Sequence, residues 1–145
     1  MPVRSTLPGW QHGMDPDFVD CIGPVRKRSA VSAWDNGGTA GYVDTEETVY
    51  HVSMTELGYG NNGTVVETSP KADGTINVTG PYPLYDGASN VDKIKYQGTT
   101  PRYYWLRSPH PSYCYRVRFV SPSGALNDGS AVSTYGAVAG LNLIA

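Results

Sequence analysis

Hydrophobic positions along the chain fall in short runs separated by Gly, Pro, Asn and Asp, a pattern that predicts brief elements joined by long loops. Asp15-Pro16-Asp17 announces a helix, with Asp as N-cap, Pro in the first turn and a second acid at the positive end of the dipole. Phe18, Val19 and Ile22 form its inner face, and Gly23-Pro24 stops it. Ser32 to Asp44 reads as a Gly-rich surface loop, followed by a β-branched and aromatic strand at Thr48 to Val52. Ser53-Met54-Thr55-Glu56 has the form of a capping box and predicts a second short helix, ended by Gly58 and Gly60. Asn61 to Asp86 reads as turns and extended pieces, with Asn61-Asn62-Gly63, Asp73-Gly74 and Gly80-Pro81 as breakers. Ser89 caps a third short helix with Val91 and Ile94 inward. The last third then changes character. Arg102 to Leu106, Tyr115 to Val120 and Gly136 to Leu143 are strand candidates, separated by turns at Ser121-Pro122-Ser123-Gly124 and Asn127-Asp128-Gly129-Ser130. Together these elements predict an α+β class: short helices, a small antiparallel β-meander and long loops in a single domain over 1–145.

Composition narrows the function. A formal net charge of -2 and a pI near 5.8 supply no basic field of the kind nucleic acid requires, so no nucleic-acid partner is expected. The one basic run, Arg26-Lys27-Arg28, reads as a solvated turn. Two cysteines, Cys21 and Cys114, are too few for a disulfide framework or a cysteine zinc cage and are expected to be free thiols. No charged-then-apolar leader opens the chain, and no stretch approaches the ~20 apolar residues of a membrane span. The expectation is a protein made in the cytoplasm without a signal peptide and without membrane insertion. The sequons at Asn62 and Asn77 carry no weight in that context.

Catalytic chemistry is hard to assemble from these residues. After Trp105 the only carboxylate is Asp128, so that segment holds no acid pair of the kind general acid–base catalysis uses. His12, His51 and His110 lie far apart with no metal-ligand spacing. Asn127-Asp128-Gly129 offers hard oxygen ligands but too few neighbours for calcium, and reads as a hairpin turn. No nucleophile elbow or phosphate-cradling loop is present. No catalytic residue, metal site or cofactor is assigned, and the chain is expected not to be an enzyme.

Tyr103-Tyr104-Trp105-Leu106-Arg107-Ser108-Pro109, then Val117-Arg118, Ser123-Gly124-Ala125-Leu126 and the closing run Tyr135 to Leu143 carry a resemblance. So do Ser5-Thr6-Leu7 through Trp10, Asp15 to Phe18, Val25-Arg26-Lys27, Val52 to Glu56 and Ile94-Lys95-Tyr96 upstream. The chain resembles the phage and bacterial domains of unknown function (DUF6273-like) that carry a Trp-Leu-Arg-Ser-Pro box. The resemblance implies a C-type-lectin-like fold and, through relatives that are variable proteins of diversity-generating retroelements, a randomised patch for ligand recognition. It also implies an N-terminal β-hairpin before Ser5-Thr6-Leu7, the segment at which this sequence starts, so that strand is expected to be missing or supplied elsewhere; the closing run has Ala139-Gly140 where Pro-Ala is common.

A separate pattern agrees with that implication. Lys, Glu, Gln, Met and Trp all occur up to Trp105, and none follows it. Their codons end only in purines, so they cannot arise when a template Asn codon ending in cytosine is mutated at its adenines. The same segment is rich in Tyr, Ser, Gly and Asn, the mixture of antibody-like paratopes. The candidate variable region is therefore 103–145, and the candidate ligand-binding residues are His110, Tyr113, Cys114, Tyr115, Arg116, Phe119, Asn127, Asp128, Ser130, Val132, Ser133 and Thr134. Trp105 and Leu106 read as core and Arg107 as a loop anchor, while Val117, Val120, Leu126, Val138, Leu141 and Leu143 read as framework. The expected partner is a host-cell surface protein or glycan, met from a phage tail or a bacterial cell surface, with a homotrimer as the assembly that gives avidity. The alternative is a fixed structural module of a virion or cell surface whose Tyr-rich segment packs against another subunit.

Overall fold

The computed structural model describes residues 13–70, 80–141 and 143, and among them strands carry the chain. Ser5 to Trp10, His12, the Asp73-Gly74 breaker, the Asn77 sequon and Asn142 lie outside the described residues. Among the described residues ten strands form four small sheets, and the single α-helix is five residues long. The expected α+β, C-type-lectin-like class is thereby overturned: this is a mostly β protein. Two of the anticipated helices collapse to single turns because Gly58 and Gly60, and the extended run after Val91–Lys93, stop them before a second turn forms.

The helix α1 (Pro16–Asp20) begins as its sequence dictates. The Asp15 carboxylate accepts the Asp17 amide at 2.8 Å, with Pro in the first turn. So short a helix buries only Val19, and Phe18 is 42% exposed and not inward. Strand β1 (Val25–Val31) pairs antiparallel with β2 (Gly41–Glu47), from Val25 opposite Glu47 to Val31 opposite Gly41. The basic triplet is therefore not a turn. Lys27 and Arg28 are buried on opposite faces of β1, and Gly41 to Asp44, read as loop, belong to β2. Arg28 lies opposite Asp44, holds its carboxylate with bonds of 2.7 and 2.8 Å, and stacks on the Tyr42 ring.

Strand β3 (Val49–His51) pairs with β10 (Ala139–Leu141). Gly140 faces Tyr50 there, and a Cβ at that position would lie 2.6 Å from the tyrosine ring, so only Gly fits. Strands β4 (Lys95–Gln97) and β5 (Thr100–Arg102) form a hairpin. The largest sheet has the order β8-β7-β6-β9, made of β6 (Tyr104–Pro109), β7 (Arg116–Val120), β8 (Leu126–Ser130) and β9 (Gly136–Ala137). Its first three strands form an antiparallel meander, but not the one expected: the third strand is Leu126–Ser130, whose last four residues read as a turn, and the expected third strand, Gly136 to Leu143, is not part of it. The closing run splits: β9 pairs parallel with β6 while β10 leaves for β3.

Tyr104 and Leu106 of β6 and Val120 of β7 face the core, where they meet Met54 and Leu57, flanked by Val52, Tyr59, Tyr85, Leu126 and Val138. Leu143, read as framework, is 66% exposed. Val91, expected inward, is exposed too, and Lys93 is buried in its place beneath the Tyr59 ring.

Beside this core lies a buried polar network that ties four distant segments together. Ser53 and Glu56 form the anticipated capping box, with the Ser53 amide donating to Glu56 and the Glu56 amide to Ser53 Oγ at 3.1 Å. It closes a single turn, and the Glu56 carboxylate, fully buried, also receives Lys27 Nζ at 3.1 Å and the Arg107 guanidinium. Arg107 further donates to the carbonyls of His51 and Glu67, both at 2.9 Å. Ser108 donates to the Glu67 carboxylate and accepts the Met54 amide, and the other Glu67 oxygen accepts the Ala30 amide at 2.8 Å. The Pro109 carbonyl accepts Asn62 Nδ2. Arg107-Ser108-Pro109 is thus a clamp of the scaffold.

The two buried carboxylates respond oppositely to burial. Desolvation raises both, but for Glu56 the bonds and charges of Arg107 and Lys27 outweigh it, and its pKa falls below the ordinary value. For Glu67 burial wins over the bonds from Ser108 and the Ala30 amide, and its pKa rises. Glu56 therefore contributes stability that is present above the unfolded-state value of 4.5 and lost as pH falls through its depressed pKa. Glu67 has the reverse sign, costing stability as pH climbs from 4.5 through its raised pKa. Glu56→Ala, which leaves Lys27 and Arg107 without their buried partner, is expected to lower unfolding free energy by about 3–5 kcal/mol in urea titrations. Glu67→Gln is expected to gain on the wild type as pH rises from 4 to 8; a difference in stability independent of pH would contradict the raised pKa.

Candidate functional site

The four-stranded sheet has a second face, and it is aromatic. Trp105 lies opposite Phe119 across β6 and β7, and Tyr103 and Tyr135 complete the group. Tyr135 stacks on Tyr103 at 5.0 Å between ring centroids and lies 4.6 and 4.8 Å from Trp105 and Phe119. Tyr135 reaches them because residues 131–135 cross this face, from the end of β8, where Ser130 is opposite Arg116, to the start of β9, where Gly136 is opposite Tyr104. Gly129 sits beneath the crossing; a Cβ there would stand 3.1 Å from the Phe119 ring and 3.7 Å from that of Tyr135. Such edge-to-face and stacked pairs add about 0.5–1.5 kcal/mol each to their area burial.

This arrangement sorts the candidate residues. Phe119 is 6% exposed and forms the centre of the aromatic cluster, so it is not available for contact in this conformation. Trp105, read as core, is only half-buried and packs on this face and not in the main core. Tyr113, Cys114 and Tyr115 are exposed in the loop between β6 and β7. Val132, 90% exposed, and Thr134, also exposed, lie in the crossing, with Ser133 half-buried between them. Asn127 and Ser130 are exposed on β8.

The two loops meet at one end of the sheet, where the Ala131 amide donates to the Tyr115 carbonyl at 3.0 Å. Ring contacts run from His110 to Tyr113 and on to Tyr115, at 4.8 and 5.8 Å. Arg116, Arg118 and Asp128 form a charge cluster on the opposite face of β7 and β8. Asp128 is ion-paired with Arg116, Nε to Oδ2 at 2.6 Å, and accepts Arg118 Nη1 at 3.2 Å. Those pairs hold Asn127-Asp128-Gly129 extended where its composition reads as a turn. Among the described residues no group of three or more His, Cys, Asp or Glu is placed to hold a metal ion.

Sequence reasoning passed over Tyr135, the residue that pins the crossing. It also passed over the hairpin side of the same face, where Tyr96, Gln97 and Arg102 line a cleft with Tyr103 and Tyr135. The missed signal at position 135 is an aromatic residue between a polar loop and a short Gly-Ala strand.

A small mostly β domain with an aromatic-backed loop end is thus defined. A family described as Domain of unknown function (DUF6273) matches residues 9–143, and the chain belongs to that family. No curated protein and no solved structure matches the chain.

His110 closes its loop in one protonation state. Its Nδ1 accepts the amides of Ser112 and Tyr113 at 3.0 and 3.2 Å, which requires that nitrogen to be unprotonated. Burial, together with the charges of Arg118 and Arg116, lowers its pKa against the opposing pull of Asp128. The loop cap is therefore complete above the ordinary value of 6.5 and is lost as pH falls through the depressed pKa. In an NMR titration the His110 ring is expected to change charge below 6.5, with the Ser112 and Tyr113 amide signals moving on the same curve. A midpoint at or above 6.5, or amides that do not follow, would show that the cap is not what holds this loop.

Proposed function

We propose that this domain is a non-enzymatic recognition module that binds a host-cell surface protein or glycan through the loop end of its four-stranded sheet. The observation that carries the reading is the exposure of Tyr113, Cys114, Tyr115 and Val132 on two loops joined by the Ala131–Tyr115 bond, one of them backed by the packed rings around Tyr135. Rigid tyrosines give contact area at little entropy cost, and the surrounding Ser, Thr and Asn side chains adapt their hydrogen bonds. The lack of Lys, Glu, Gln, Met and Trp after Trp105 supports the finer reading, that of a variable protein diversified by a retroelement and carried on a phage tail or bacterial surface. Trimeric display would turn weak single contacts into useful avidity.

Two measurements test this. Sequencing the encoding locus is expected to reveal a near-copy of the segment encoding 105–145 whose differing positions are adenines, beside a reverse transcriptase. In parallel, labelled protein is adsorbed to a panel of bacterial cells, and the double variant Tyr113→Ala/Tyr115→Ala is expected to bind at least about tenfold more weakly with an unchanged melting temperature. Full adsorption by the double variant would shift the reading to a fixed assembly module.

A further inference from the structure

Beyond the loop end, the sheet carries a second concave surface. The β4–β5 hairpin stands beside the short edge strand β9, and two adjoining clefts of about 310 and 340 Å³ open between them, sharing Gln97, Arg102, Tyr103 and Gly136. Such volumes lie at the lower end of the range for small-ligand sites. The side chains around them are of three kinds. Tyr96 is 61% and Tyr103 43% exposed, and Tyr135 is stacked on Tyr103, so aromatic surface lines one side. Arg102 and Gln97 are exposed and make no side-chain hydrogen bond or ion pair among the described residues. Lys95 donates to the Tyr85 hydroxyl at 3.1 Å and makes no ion pair among the described residues. Among the described residues no acidic side chain lines either cleft, which places two cations together on a chain of net charge -2.

The geometry points to a binding site for an anionic saccharide in this groove. Tyrosine faces match the C–H face of a pyranose ring, while a free guanidinium and a free amide match its carboxylate or sulfate and its neighbouring hydroxyls with paired bonds. Small residues at Gly136 and Ala137 let the ring approach the backbone of β9. The proposal rests on the reading of this domain as a recognition module, but it uses different residues from the exposed loops, so each can fail alone.

The full chain is probed against oligosaccharides in neutral, uronate-containing and sulfated forms, and each one retained is titrated calorimetrically. Anionic forms are expected to bind at least about tenfold more tightly than neutral counterparts, with affinity falling as salt rises. The uronate and sulfate arms then identify the anion. Arg102→Ala and Tyr96→Ala, both exposed and so tolerated by the fold, are each expected to weaken binding by a similar factor. Equal binding of neutral forms, or an Arg102→Ala variant that binds as the wild type does, overturns the proposal. So does the absence of saccharide binding by a chain that still adsorbs to cells, an outcome that leaves the loop-end reading standing with a protein as its partner. Saccharide binding that survives in a chain unable to adsorb to cells upholds the groove and removes the loop-end reading alone.

Discussion

Glu56 is a carboxylate with no access to water, held by Lys27 from β1 and Arg107 from β6 while its own turn is capped by Ser53. A charge so placed is stable only if its partners are fixed, and here the partners come from segments that share no local structure. Lys27 is tied in turn to the hydroxyls of Ser69 and Tyr82 and sits over the Tyr50 ring. Arg107 spans to the backbone on either side. The small sheets are too short to organise one another through their ladders, and the network supplies the register that a longer sheet would otherwise impose.

The same segment that anchors the network also supports the candidate site. In β6, Tyr104, Leu106 and Ser108 face inward while Trp105 and Arg107 alternate with them, so one short strand joins the core, the polar clamp and the aromatic face. That face is closed by Tyr135, which reaches it only because residues 131–135 run across β7 and β6. A loop fixed at its far end by ring packing exposes its remaining side chains without depending on them. Val132 and Thr134 are free to differ in character while the path of the chain stays set by Tyr135 and Gly129.

Local signals were legible where the energy is local. Asp15 caps α1, Ser53 and Glu56 bond to each other, and the turn before Gly124 joins β7 to β8, each within a few residues. The burial of Lys27 was not legible, because a basic triplet looks solvated unless its acid partner, 29 positions away, is known to meet it. Likewise Asn127-Asp128-Gly129 has turn composition, and only the arginines opposite on β7 hold it extended. The α+β expectation failed for a related reason: caps and apolar spacing mark where a helix can begin, but not that glycines and competing strand partners end it within one turn. Within the candidate site, the exposed loop tyrosines were readable from composition, whereas the burial of Phe119 depends on a crossing that no sequence period records.

The pairing of β10 with β3 and of β9 with β6 gives the chain an unusual order of completion. Strand β3 has no partner, and β6 only β7, until the residues after 135 are available. During synthesis on the ribosome, β3 and β6 would wait with open edges while the rest of the domain emerged, and unpaired edges are the surfaces by which nascent chains aggregate. Folding of this domain therefore cannot finish before residues 136–141 have left the ribosome, however early its other strands are made.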